Sequence, residues 1–307
     1  MPDVASLGLR VRLRRLQPSE LPHHPDLAQL QSNVTPPDPK IFARDVLVEA
    51  KMFMTDYWPK KFTVKAPSKQ SSPSAAPVEL LVKEVSASEI PSDVRPKGVS
   101  GTAESWFARS SVHENKRETG TATWDEFEGY LLDHHSENEK EYTPDVYDAN
   151  RVLHWDSATI GEIPGWEKVE MHVFEMCHSL PVPLNPRTFS VLVVKGKSTS
   201  TSQPDFVTVQ IPVDITLVPQ ALYAAGRNRT EGQSGQHKKA TTPGIYVSVE
   251  RAELLENGAK VKWQMATASD AGGNLPMWAQ KMGVPGAVIK DVGLFMDWVA
   301  KRRAGKA

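Results

Sequence analysis

The chain has 307 residues, 39% of them hydrophobic, and a formal net charge of -1. That is enough apolar material for a sizeable core, and so balanced a charge gives no reason to expect a nucleic-acid partner. The single cysteine, Cys177, excludes an internal disulfide framework and fits a cytoplasmic setting. No run approaches the roughly 20 apolar residues needed to span a bilayer, so no stable membrane insertion is expected.

Residues 1–40 read as an extended lead-in. Arg10, Arg12, Arg14 and Arg15 alternate with Leu9, Val11, Leu13 and Leu16, the pattern of an edge strand rather than a targeting helix. Residues 41–303 are expected to form one domain, with 304–307 a tail. Phe42, Val46, Ala50 and Phe53 share one helical face, which predicts a helix from Ile41 to Tyr57, stopping near Trp58-Pro59. Ser, Pro and Ala crowd residues 65–77, which predicts a mobile loop. Strands are predicted at 78–85 and 104–113. Trp124 to Leu132 reads as a helix, with Thr123 as N-cap and Glu126 as its capping-box partner. The polar stretches near 133–150 and 219–243 are predicted to be mobile loops that gate a cavity. Strands follow at 151–155, 169–178, 188–195 and 206–214. A hairpin joins 245–254 to 260–268 across Glu256-Asn257-Gly258. Ala271-Gly272-Gly273-Asn274 then turns the chain into a terminal helix, with Asn274 capping it.

That terminal run, LPMWAQKMGVPGAVIKDVGLFMDWV, places Leu275, Trp278, Met282, Ile289, Met296 and Val299 at helical spacing. Gly283 is expected to end a first short helix and Pro285 to open a second. Gly286 and Gly293 leave room for another segment to approach. The order of elements gives an α+β class with one antiparallel sheet wrapped on a helix, and the lack of βαβ alternation argues against parallel-sheet folds. Val207, Val209 and Ile211, Val247 and Val249, and Val261, Trp263 and Met265 mark the apolar parity of three strands. That face is expected to meet the terminal helix.

The terminal run and the segments SWFARSSVHE, DHHSENEKEYTPDVYDAN, FEMCHSLPVPLNPRTFSVLVV, VQIPVDI and MATASDAGGNLPMW together resemble a fungal START-like family of unassigned function. The resemblance runs from about Phe42 to Val299. It implies the START-like helix-grip fold, a curved antiparallel β-sheet wrapped around a long C-terminal α-helix with an internal hydrophobic cavity. Members of the wider superfamily carry lipids, sense ligands or act as cyclases. The expected function is therefore binding of a hydrophobic small molecule: a lipid, sterol, terpenoid or polyketide-like compound. The alternative is a cofactor-independent cyclase or pericyclase of fungal secondary metabolism that acts by preorganising its substrate in the same cavity. No cofactor is implied.

The candidate residues follow. Ligand contacts are expected from Trp278, Met282 and Ile289 on the helix, and from Trp263, Met265, Phe174 and Phe189 on the sheet. Arg109 and Glu175, both charged amid apolar strand residues, are expected to pair and are the candidate catalytic or anchoring groups. His134, His135, Glu137 and Glu139 lack metal-ligand spacing, so a solvated loop and no metal is the expectation. Cys177 and His178 are adjacent on a strand, so they point to opposite faces and make no nucleophilic pair.

Overall fold

The computed structural model describes residues 8–95, 102–231, 235 and 237–306. The arginine-rich start does not form the expected edge strand. Its backbone N–H groups are instead taken by carboxylates: Glu49 accepts from Val11 at 2.7 Å, and Glu104 accepts from Leu13 at 2.9 Å. Arg12 turns inward and pairs with Glu104 at 2.9 Å. The apolar partners Val11, Leu16, Leu21 and Leu27 are buried in the core.

Asp38 caps helix α1 (Pro39–Met52) by accepting from Ile41 N at 2.9 Å, and Pro39 suits its first turn. The helix buries Phe42, Val46, Leu47 and Ala50 and runs on through a π turn, Phe53–Tyr57, into α2 (Trp58–Lys61). The predicted loop at 65–77 begins as strand β1 (Thr63–Lys69), a mostly exposed edge strand paired with β2 (Val78–Ser86). Next come β3 (Thr102–Glu114) and α3 (Trp124–Phe127), whose Thr123–Glu126 capping box forms as predicted. The stretch near 133–150 is not a loop. It holds α4 (His135–Tyr142) and the start of β4 (Val146–Trp155). The remaining elements are α5 (Ser157–Ile160), β5 (Trp166–His178), β6 (Arg187–Ser198), β7 (Asp205–Pro212), α6 (Asn228–Glu231), β8 (Thr242–Leu255), β9 (Lys260–Asp270) and α7 (Met277–Arg303). Part of the stretch near 219–243 (residues 232–234 and 236) lies outside the described residues. In the β8–β9 turn Asn257 and Gly258 have φ of 55° and 90°, which is the conformation the Asn-Gly pair supplies.

Among the described residues nine strands form one sheet in the order β1-β2-β3-β9-β8-β7-β6-β5-β4, and neighbours in that order are antiparallel. Both faces are covered. Val209 pairs with Val249, and Val249 with Ala266, so these three share a face. That face packs on α1 and the N-terminal segment, not on the terminal helix. The face toward α7 carries Trp263 and Val261 of β9 as expected, with Phe206 of β7 and Ala252 of β8. The expectation therefore holds for β9 and reverses for β7 and β8. The dry, Val-rich parity of those two strands fills the closed core, and their polar parity faces the helix.

Helix α7 is continuous, with Pro285 inside it, so the expected break at Gly283 does not occur. The glycine is not left-handed, and Pro285 forfeits only one backbone bond. Gly293 is where another segment comes close: a Cβ there would lie 2.4 Å from the carbonyl oxygen of Ser72. Ser71 Oγ accepts from Gly293 N at 2.8 Å and donates to Ile289 O at 2.6 Å, which clamps the β1–β2 connection to the helix. No helix of the described residues is long and apolar enough to cross a membrane.

Candidate ligand cavity

A cavity of about 370 Å³ lies between α7, the segment from α4 to β4, and the sheet face they cover. Met176, Phe189, Met265, Leu275, Val284, Val288 and Leu294 supply apolar wall. Glu139, Gln210, Tyr246, Thr267 and Asp291 supply polar groups. At the end near the β9–α7 turn, Arg187 donates through Nε to Ala271 O at 2.6 Å and holds that turn in place.

Of the seven residues expected to touch a ligand, Met265 and Phe189 line this cavity. Phe174 shares the sheet face but packs with Met176, Val191 and Val193, beside a separate cleft. Trp263 is buried behind the cavity, its ring 5.0 Å from that of Phe295. Ile289 packs at the edge of the clusters around Val292 and Val288. Trp278 and Met282, expected inside, are 67% and 75% exposed. The inward side of those turns carries Ala279, Gln280, Gly283 and Val284 instead. Gln280 explains the rotation. Its amide is buried, accepts from Ala271 N at 2.7 Å, and donates to Leu275 O at 2.9 Å. A polar side chain thus fixes which face turns in.

The expected Arg109–Glu175 pair does not form, because the two side chains lie on opposite faces of the sheet. Glu175 is fully buried on the α1 side. There it accepts from Asn150 Nδ2 at 2.7 Å and from the backbone N–H groups of Leu222, Tyr223 and Ala224 at 2.7–3.0 Å. Its acceptors are used to anchor a loop. Arg109 instead pairs with Glu250 at 3.3 Å, and its guanidinium lies 3.8 Å from the centre of the Trp263 ring. Glu250 also accepts from Trp263 Nε1 at 2.7 Å and bonds His135 Nε2 at 3.2 Å.

His135 and Glu139 therefore do not belong to a solvated loop. They are on the inward side of α4, while His134 and Glu137 face out. No group of His, Cys, Asp and Glu among the described residues could hold a metal ion. Burial opposes a charge on His135, but the bond and attraction from Glu250 outweigh it and raise the imidazole pKa. Glu139 is raised to about 7, chiefly by burial. His135 pulls it back, while the nearby carboxylates of Asp291 and Glu250 push it up. Asp291 is raised to about 6, again chiefly by burial. Arg109 lowers it and Glu250 raises it. Sequence reasoning missed Glu250 and Asp291 and placed Glu139 in a solvated loop, because their neighbours in the cluster come from distant strands and helices.

Cys177 and His178 face opposite ways, as expected. The thiol is buried near Thr188 Oγ1 at 3.7 Å, and burial pushes its pKa well up. His178 borders the cavity, and burial lowers its pKa to about 4, so it is neutral. Neither thiolate nor imidazolium is favoured. The expected result is that Cys177→Ser keeps ligand binding within about threefold, and that a thiol reagent at pH 8 leaves the folded protein unlabelled, as inert buried cysteines are. Rapid labelling with loss of binding would contradict it.

An α+β sheet of nine strands gripping a long C-terminal helix is the START-like helix-grip fold. The structure of human STARD10 is similar, with a TM-score of 0.53 and 11% identity over 84% of this chain and 81% of that one. Human StAR-related lipid transfer protein 5 gives a TM-score of 0.45 and 11% identity over 86% of this chain and 99% of that one. The human StarD13 (DLC2) lipid transfer and protein localization domain gives 0.42 and 13% over 75% and 86%. Among curated proteins there is no match. The profile of a family described as "Protein of unknown function (DUF3074)" matches residues 106–299, more than half of the chain, and the chain belongs to that family.

Proposed function

We propose that this chain binds one hydrophobic small molecule, such as a lipid, sterol, terpenoid or polyketide-like compound, in the cavity between α7 and the sheet. The observation that carries this reading is the cavity itself, walled by Met176, Phe189, Met265, Val284, Val288 and Leu294. Its volume falls within the several-hundred Å³ range of small-molecule sites. Apolar ligand surface leaving water would contribute about 25 cal/mol per Å². The START-like fold, which the human STARD10 structure shares, agrees with the reading. We take residues 41–303 as the domain that carries the site, and a cytoplasmic setting as fitting a lone buried cysteine.

One observation favours a second reading, a cofactor-independent cyclase. Glu139 faces the cavity with a pKa raised to about 7, where a carboxyl serves as either acid or base at neutral pH. Native mass spectrometry of the gently purified protein tests the first reading. A single apolar adduct, released on denaturation, is expected. A bare protein that also takes up none of a panel of apolar molecules would overturn it.

A further inference from the structure

We propose that the molecule held in this cavity carries a cationic amine, seated between Glu139 of α4 and Asp291 of α7. The inference rests on the cavity reading above and names the chemical class of its ligand.

The two nearest cations of the cluster, Arg109 and His135, are both bound by Glu250, at 3.3 and 3.2 Å. Lys195, on β6, pairs with Glu170 at 3.0 Å. Among the described residues, neither Glu139 nor Asp291 has an ion pair with any Lys or Arg. Glu139 has only His135 Nδ1, at the limiting distance of 4.0 Å. Two carboxyls thus line the cavity without an ion-paired cation: of the cations on its wall, Arg187 is bound by the carbonyl oxygens of Ala271 and Asn185, and Lys290 is exposed and makes no ion pair with either carboxyl. Leaving such charges unpaired in low dielectric is costly, and burial pushes both carboxyls up from their ordinary range.

A second observation points to a ligand at the same place. His135 is 6% exposed, its Nε2 is committed to Glu250, and its Nδ1 has no hydrogen-bond partner. That nitrogen looks toward Glu139 Oε2, which is also buried and without a hydrogen-bond partner. With Nε2–H donating to Glu250, Nδ1 presents a lone pair. An ammonium has three N–H donors, and Glu139, Asp291 and His135 Nδ1 offer three acceptors. An anionic head would add a further negative charge beside Glu250. A hydroxyl would leave at least one carboxylate without a counter-charge. The apolar part of such a ligand would lie along Met265, Val284 and Val288.

The pH dependence follows. The groups around the ammonium site are His135, Glu139 and Tyr142 from α4, Asp145 beyond it, Arg109 from β3, His178 from β5, Arg187 and Lys195 from β6, Tyr246 and Glu250 from β8, and Lys290 and Asp291 from α7. The amine binds when Glu139 and Asp291 are ionised and His135 is neutral. An aliphatic amine stays cationic well above pH 8. Binding therefore releases protons and tightens as pH rises from 6 to 8.

The test is isothermal titration of the full chain with dodecylamine, dodecanol and dodecanoate, each below its aggregation concentration, at pH 6 and pH 8. The three share a tail and differ in the head. The amine is expected to bind about tenfold more tightly than the alcohol at pH 8, and to lose most of that advantage at pH 6. Titration in two buffers of different ionisation enthalpy should show proton release for the amine and none for the alcohol. In the double variant Glu139→Gln/Asp291→Asn, the amine's advantage over the alcohol should vanish. An alcohol or carboxylate that binds as tightly as the amine, or a pH-independent amine affinity in the unaltered protein, overturns the inference and leaves the cavity reading standing. If dodecanol also fails to bind, the cavity reading falls and the inference falls with it.

Discussion

Gly283→Trp is expected to weaken ligand uptake by at least about tenfold, whereas Met282→Trp, one residue away, changes it less than about twofold. Gly283 lines the cavity, and a Cβ there meets nothing within 4 Å, so the added indole has room to enter. It would then occupy volume the ligand needs. Met282 is 75% exposed on the other side of the helix. Folding should tolerate both changes, since replacing a helical glycine gains about 0.5–1 kcal/mol of backbone entropy. Fluorescence titration with an apolar probe and thermal melts on both variants would check this. Equal loss of uptake in both, or loss only in Met282→Trp, would show that the helix presents a different face to the ligand.

Arg109→Met is expected to destabilise the protein by about 3–5 kcal/mol, because Glu250 is left as a buried charge with one cation fewer. Glu250→Leu should cost a similar amount, since it strands Arg109, His135 and the Trp263 indole together. The two changes combined should fall short of their sum, with a coupling of about 1–3 kcal/mol. Glu175→Leu is also expected to be costly, as four donors lose their acceptor. Its combination with Arg109→Met should be additive within about 0.5 kcal/mol, because the two side chains lie on opposite faces and share no partner. Urea denaturation of the variants gives the cycle. Coupling between Arg109 and Glu175 with none between Arg109 and Glu250 would contradict the network.

The sheet and the closing helix were legible because their signals are local. Alternation marked the strands, Asn257-Gly258 marked the hairpin turn, and Thr123 with Glu126 marked a helix start. Family resemblance supplied the cavity. The site itself was largely hidden. In β7 and β8 the apolar parity of Val207, Val209, Val247 and Val249 goes to the closed core. A wall that must also carry Gln210, Tyr246 and Glu250 reads as the solvent side. The stretch HSENEKEY looked like loop, since a helix that buries only His135, Ser136 and Asn138 has no apolar stripe to show. At the start of α7, Trp278 and Met282 gave the stronger periodic signal. The buried amide of Gln280, tied to the β9–α7 turn, decided the rotation instead. Glu175 looked like half of an ion pair because its true partners are backbone N–H groups, which carry no sequence signature.

A crystal structure of the protein with an apolar ligand bound decides whether the cavity between α7 and the sheet is the ligand site. Ligand density enclosed by Met265, Val284 and Val288 is expected, with any polar end directed at Glu139 and Asp291. Density confined to the exposed face around Trp278 and Met282, with the cavity between α7 and the sheet collapsed or filled by side chains, would contradict it.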